Sequence, residues 1–264
     1  MTDSALIDYA VADRIATITL NRPEVANAQN TELLDQLDAA WTRAAEDDDV
    51  AVIIVRANGK HFSAGHDIKG GGPVPEKISL EFIYKHECKR YLEYTLRWRN
   101  VPKPSIAAVQ GRCISGGLML CWPCDLIIAA DDAQFSDPVA LMGIGGVEYH
   151  GHTWELGARK AKEMLFTGRA LSAREAEQTG MVNRVVARDE LDAETRALAE
   201  TIATMPSFAL RQAKRAVNQT LDVQGFYSAI QSAFDIHQTG HGNALSVCGW
   251  PILVNLDEMK SKVD

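Results

Sequence analysis

The stretch "GRCISGGLMLCWPCD", Gly111 to Asp125, breaks a strand-like run with glycines and then opens an apolar helix. A helix beginning at Ser115, Gly116 and Gly117 offers backbone N–H groups without intrahelical partners, together with the positive end of the helix dipole. A second glycine turn, "FSAGHD" from Phe62 to Asp67, offers more. Two such N–H groups converging on one carbonyl oxygen would stabilise an enolate or a tetrahedral oxyanion, each donor contributing on the order of 3 kcal/mol. Glycine turns also serve merely to turn corners, and spacing alone does not separate the two roles. From Gly111 to Cys124 there is neither a carboxylate nor a histidine, so any proton-moving group must come from elsewhere.

Other reactive side chains give weaker signals. Cys121 and Cys124 have the C-x-x-C spacing of redox pairs, but an apolar helix precedes them. A reactive thiolate is favoured where a helix follows, so two buried thiols are expected. His237 and His241 stand at i and i+4 and share a helix face, while His150 and His152, if helical, point about 200° apart. With no third ligand at a metal-site spacing, no metal is expected.

The elements that must position these residues alternate. "LIDYAVADRIATITLNRP" reads as a hairpin, Thr31 as the cap of a helix over "TELLDQLDAAWTRAAEDDD", and "VAVIIVRA" as a buried strand. "GKHFSAGHDIKGGGPVPEK" is too glycine-rich to be regular, and a long helix is predicted over Leu80 to Arg99. "VPKPSIAAVQG" is a strand, "ISGG" opens a short helix, and "DLIIAADDAQFSDP" supplies more strand. Helices dominate from about Trp154 to Gly240, with one short strand at "NRVV". Residues 1–200 are expected to form an α/β core and residues 201–264 a helical module suited to packing on another subunit. The tail's "ILVNL" is an apolar patch with no partner evident in the sequence.

The 264 residues carry a formal net charge of -8 and no Lys/Arg-rich block, which argues against nucleic acid as a partner. No signal-peptide pattern opens the chain and no apolar run approaches bilayer length, so a soluble, cytoplasmic protein without membrane contact is expected.

The stretches "IATITLNRPEVANAQN", "HFSAGHDIK", "VPKPSIAAVQGRCISGGLMLCWPCDLIIAADDAQFSDP" and "LGARKAKEMLFTGRALSAREAEQTGMVNRVV" together resemble the crotonase superfamily, the enoyl-CoA hydratase/isomerase family. The resemblance implies a spiral of β-β-α turns with a C-terminal helical trimerisation region, assembled as a homotrimer or a dimer of trimers. It implies an acyl-CoA thioester as ligand, with coenzyme A part of the substrate and no separate cofactor. It also places the backbone N–H of His66 and of Gly116 as the two oxyanion donors. Val25, Ala26, Ala28, Ala64 and Asp67 fall along the strip that contacts pantetheine and adenine through the backbone.

The departures from the family pattern matter more. Hydratases of the family carry one glutamate in the helix after the second donor and another after "AQF-x-x-P"; this sequence has Met119 and Val139 there. Neither side chain transfers a proton. The segment "GIGGVEYHGHTWELG", which lines the acyl pocket in the family, supplies Glu148, His150, His152 and Glu155. Glu148 is the leading candidate base, with His150 and His152 as competitors and Asp137, beside the vacant second position, in reserve. Equally, Glu148 could cap a helix starting near Tyr149, and the His66 imidazole could touch CoA, move a proton or fill space. Three functions follow: enolate chemistry on an enoyl-CoA by hydration or isomerisation, hydrolysis of a C–C or thioester bond, or acyl-CoA binding without catalysis.

Overall fold

The computed structural model describes residues 5–68 and 78–254; part of the glycine-rich loop and the end of the tail, including two residues of the "ILVNL" patch, lie outside these residues. The hairpin pairs β1 (Ile7–Ala12) with β2 (Ile15–Leu20), and its turn residues Asp13 and Arg14 have φ of 51° and 64°, as a tight two-residue turn demands. α1 (Thr31–Glu46) follows. Its cap is Asn30, not Thr31: the extended Asn30 accepts from the Leu33 N–H at 2.8 Å, and Thr31 is the first helical residue. β3 (Val52–Ala57) is the expected buried strand.

The predicted helix over 80–99 forms in three pieces: α2 (Leu80–Glu87), a π-helical turn at Cys88–Glu93, and α3 (Tyr94–Arg99). β4 (Ser105–Val109) and β5 (Arg112–Ile114) lead into a 3-10 turn at Ser115–Gly117 that continues as α4 (Leu118–Cys121). Next come β6 (Leu126–Ala130), β7 (Gln134–Ser136), and α5 (His152–Thr167), which kinks at Gly157 where φ is 71°. β8 (Leu171–Ser172), α6 (Ala173–Thr179), β9 (Arg184–Val186) and α7 (Leu191–Ala203) follow, then α8 (Ser207–Val223) and α9 (Phe226–Cys248).

The larger sheet runs β1-β2-β3-β4-β6-β9, parallel from β2 onward; the smaller runs β5-β7-β8. Alternation along the parallel strands splits the interior. Ile15, Val52, Ile54, Ile106 and Ile128 pack on Leu191, Ala199 and Ala203 of α7. Ile18, Ile53, Val55, Ala107 and Val109 face the main core with α1, and Phe226, Ile230 and Phe234 of α9 complete that core. The result is the mixed α/β architecture expected, with helices at the C-terminal end.

Two local expectations resolve here. Cys121 and Cys124 are buried, and burial raises both thiols well above the ordinary range, so they are neutral packing residues. The tail turns at Gly249 (φ 70°) and folds back: the Leu253 N–H donates to the Met142 carbonyl at 2.9 Å, and its side chain lies against Gly143. Among the described residues no helix is long and apolar enough to cross a membrane.

Candidate active site

Two backbone segments meet at Gly65. Its φ of +85° is left-handed, and a Cβ there would stand 2.7 Å from the Ile114 carbonyl and 3.1 Å from the Gly116 nitrogen, so glycine alone permits the approach. Ser63 ties the same corner, its Oγ donating to the Asn27 carbonyl at 2.9 Å and accepting from the Gly65 N–H at 3.2 Å. His66 bridges Gln29 in parallel fashion: the Gln29 N–H donates to Gly65 at 2.8 Å and the Asp67 N–H to Gln29 at 2.9 Å. Those bonds run through the neighbours of His66, which turns its own N–H away from Gln29. Gly116 occupies the first turn of a helix, where an N–H has no partner from within.

The His66 imidazole lies across this corner. Its Nε2 stands 3.1 and 3.2 Å from the two carboxylate oxygens of Glu148, and its face stacks on Tyr91 at 3.9 Å. A carboxylate only accepts, so Nε2 carries a proton, and in the neutral imidazole Nδ1 is left as an acceptor. Among the described residues that Nδ1 is buried and has no partner. The Nδ1–Cε1 edge rests on Gly116, where a Cβ would fall 2.6 Å from Cε1 and 2.8 Å from Nδ1.

Glu148 is 2% exposed and does not cap α5, whose cap position is Gly151. On its far side it approaches His237 Nε2 at 3.5 Å. Burial disfavours a charged His237, but the Glu148 and Glu87 carboxylates outweigh it and lift its pKa to about 9. Folding brings to His237 and His241 a third residue that no spacing in the sequence offers: Glu87 of α2, whose oxygens lie 3.3 Å from each Nε2.

The other candidates form a separate group. His150 precedes the helix instead of sharing it with His152, and the two rings sit 4.3 Å apart. Burial pushes the His150 pKa down to about 4. His152 is fully buried, with Nε2 2.9 Å from Asp137 Oδ2, which also accepts from the Val147 N–H at 2.9 Å. Burial raises the Asp137 carboxyl, yet His152 and these donors bring it below its ordinary value. Asp137 and His152 thus serve each other. Met119 is buried with its sulfur 3.5 Å from the Tyr149 nitrogen, and Val139 lies in a 3-10 turn at Pro138–Met142.

The strip assigned to coenzyme A is contiguous, but its backbone groups are largely engaged. The Ala64 N–H donates to the Ala26 carbonyl at 2.9 Å, and Arg22 spans the Ala28 carbonyl at 2.8 Å and the Asp67 carboxylate at 2.6 Å. Val25 is exposed at the edge. Sequence reasoning missed Tyr91 and Glu87, although Ile83, Glu87 and Tyr91 at four-residue spacing form a buried stripe, and a glutamate within such a stripe is the available signal.

The family model described as "Enoyl-CoA hydratase/isomerase" matches residues 11–241. A solved structure of a probable enoyl-CoA hydratase from Mycobacterium smegmatis is 83% identical, with 96% of this chain and 100% of that one covered and a TM-score of 0.93. Another, from Mycobacterium thermoresistibile, is 81% identical, covering 94% and 100% with a TM-score of 0.92. An enoyl-CoA hydratase/isomerase from Xanthobacter autotrophicus Py2 is 32% identical, covering 97% and 96% with a TM-score of 0.84.

Proposed function

The chain belongs to the enoyl-CoA hydratase/isomerase family, and from that premise we propose that it acts on an enoyl-CoA thioester through an enolate, with His66 and Glu148 as the proton-moving pair. The observation that carries this reading is the buried Glu148 carboxylate 3.1 Å from His66 Nε2, at the corner where Gly116 and the His66 backbone converge.

The thioester oxygen sits between the N–H groups of His66 and Gly116, which stabilise it as it gains charge. His66 Nδ1 is the acceptor: it takes a proton from water attacking C3 and delivers it to C2, so that water is added overall. In isomerisation it takes the proton from C2 and returns it at C4. Glu148 holds the Nε2 proton, fixes the tautomer and offsets the positive imidazolium, the role a carboxylate plays behind any histidine base. Such a pair replaces the two glutamates absent at Met119 and Val139. His150, His152 and Asp137 are outside the step.

A homotrimer or dimer of trimers fits α8, which buries no residue within its own chain and exposes Phe208, Val217 and Val223. The test is a panel of enoyl-, 3-ketoacyl- and aryl-CoA esters followed by mass. A gain of water on an intact ester, or an isomer of unchanged mass resolved chromatographically, supports the reading. Release of free CoA or a shortened ester would replace it with hydrolysis, and binding without turnover with a non-catalytic role.

A further inference from the structure

We propose that Glu87, His237 and His241 form a site for one divalent transition-metal ion, zinc by its donor set, on the far side of Glu148 from His66. The site goes beyond the proposed reaction and stands without it.

His237 Nδ1 lies 2.7 Å from the Gly146 carbonyl and His241 Nδ1 2.8 Å from the Pro251 carbonyl. A carbonyl only accepts, so each imidazole carries its N–H on Nδ1 and, when neutral, presents a bare lone pair at Nε2. Those two Nε2 atoms face each other at 3.0 Å. Around them stand Glu87 oxygens at 3.3 Å from each, and Glu148 Oε1 at 3.5 Å from His237 Nε2. Five electron-rich atoms converging in a buried space call for a cation among them.

A single proton answers this demand only in part. Placed between the imidazoles it leaves two buried carboxylates against one positive charge, and two protons set like-charged N–H groups against one another at 3.0 Å. One divalent ion balances Glu87 and Glu148 with both imidazoles neutral. The spacing also agrees: ligand atoms held about 2.0–2.1 Å from a tetrahedral zinc lie roughly 3.3 Å apart, close to the 3.0–3.5 Å seen here. Glu87, His237 and His241 each offer a donor within 4.8 Å of the others, and all three are buried.

The surroundings are those of a metal site. Ligating histidines characteristically donate their second N–H to a backbone carbonyl, and ligating carboxylates are themselves hydrogen-bonded. Both histidines meet the first condition; Gln238 Nε2 meets the second, donating to Glu87 Oε2 at 2.6 Å. Two imidazoles with carboxylate oxygens suit zinc, and among the described residues no thiolate joins the group to favour softer ions. The fourth position faces Glu148.

The test uses the full chain after dialysis against a chelator, titrated with Zn2+ in competition with a chromophoric chelator. One ion per chain with Kd of about 1 µM or tighter is expected. Co2+ should give the strong visible absorption of a four-coordinate ion, and X-ray absorption of the zinc-loaded protein should show two imidazoles with oxygen donors. Glu87→Gln and His241→Gln, checked for folding by circular dichroism, should each weaken Zn2+ binding by roughly tenfold or more. Binding weaker than about 1 µM to the parent chain, sulfur ligation in the absorption spectrum, or equal affinity in both folded variants overturns the site.

Discussion

Replacing Glu148 by glutamine separates charge from shape at the proton-moving pair. Glutamine keeps the length of the side chain and an oxygen that can accept from His66 Nε2, so the ring stays oriented. The negative charge that offsets the imidazolium is lost. Two unit charges at the observed 3.1 Å interact by about 5 kcal/mol at an effective dielectric of 20, and by about 2.7 kcal/mol at twice that. Because this attraction exists only when His66 is charged, it belongs to the transition state, and its loss lowers kcat by about 10² to 10⁴ with little change in thioester affinity. The assay is single-turnover and steady-state kinetics on the substrate identified from the CoA-ester panel, beside Kd for a non-reactive acyl-CoA analogue. Glu148→Gln retaining more than about a third of the parent kcat would refute the pairing of charge with catalysis.

Gly116→Ala should cut turnover by roughly 10²-fold in a folded protein, since the new Cβ would sit 2.6 Å from His66 Cε1 and displace the ring; unchanged kinetics would detach the imidazole from the chemistry. Asp137→Ala strands a buried His152 and should cost about 3–5 kcal/mol in denaturant unfolding; loss of turnover at full stability would return Asp137 to the catalytic list. Burial lifts the Glu155 carboxyl to about 7 against the opposing pull of Arg99, although part of the residue reaches the surface. A carboxyl whose pKa is raised by folding supports the fold fully below its unfolded value near 4.5 and loses that support as pH rises through about 7. Glu155→Gln should therefore gain Tm over the parent progressively from pH 5 to 8, and a flat difference would contradict the shift. Light scattering at micromolar concentration should find a trimer or its multiple, with a stable monomer as the contrary result.

Much of the frame was legible because it is local. The alternation of "IATITL" and the continuous apolar character of "VAVIIV" and "DLIIAA" mark their strands, and the glycines of "SAGHD" and "ISGG" mark the turns that meet at Gly65. Glu148 stood out because the residues usual for the chemistry were missing. What failed depended on distance in the chain. His152 and Asp137 read as free acid–base groups until folding joined them across 15 residues at 2.9 Å. Glu87 is about 150 residues from His237 and His241, so no spacing rule could unite them. The cap slipped from Thr31 to Asn30 because both types cap well, and only the extended backbone at Asn30 decides.

The π-helical turn at Cys88–Glu93 makes one continuous rod serve two clients. On its C-terminal side Trp98 donates to Asp38 at 3.0 Å and stacks on Trp41 of α1; within the turn Tyr91 covers His66, and on its N-terminal side Glu87 reaches α9. A π turn amounts to one surplus residue, and each residue turns an α-helix by about 100°. Remove that residue, keep Trp98 seated, and the N-terminal half swings by about that angle, carrying Glu87 off α9 and Tyr91 off the imidazole. A chain lacking the surplus residue would therefore present different side chains at both points even where the flanking sequences agree, and counting back from Trp98 across this turn would pair positions that do not correspond in space.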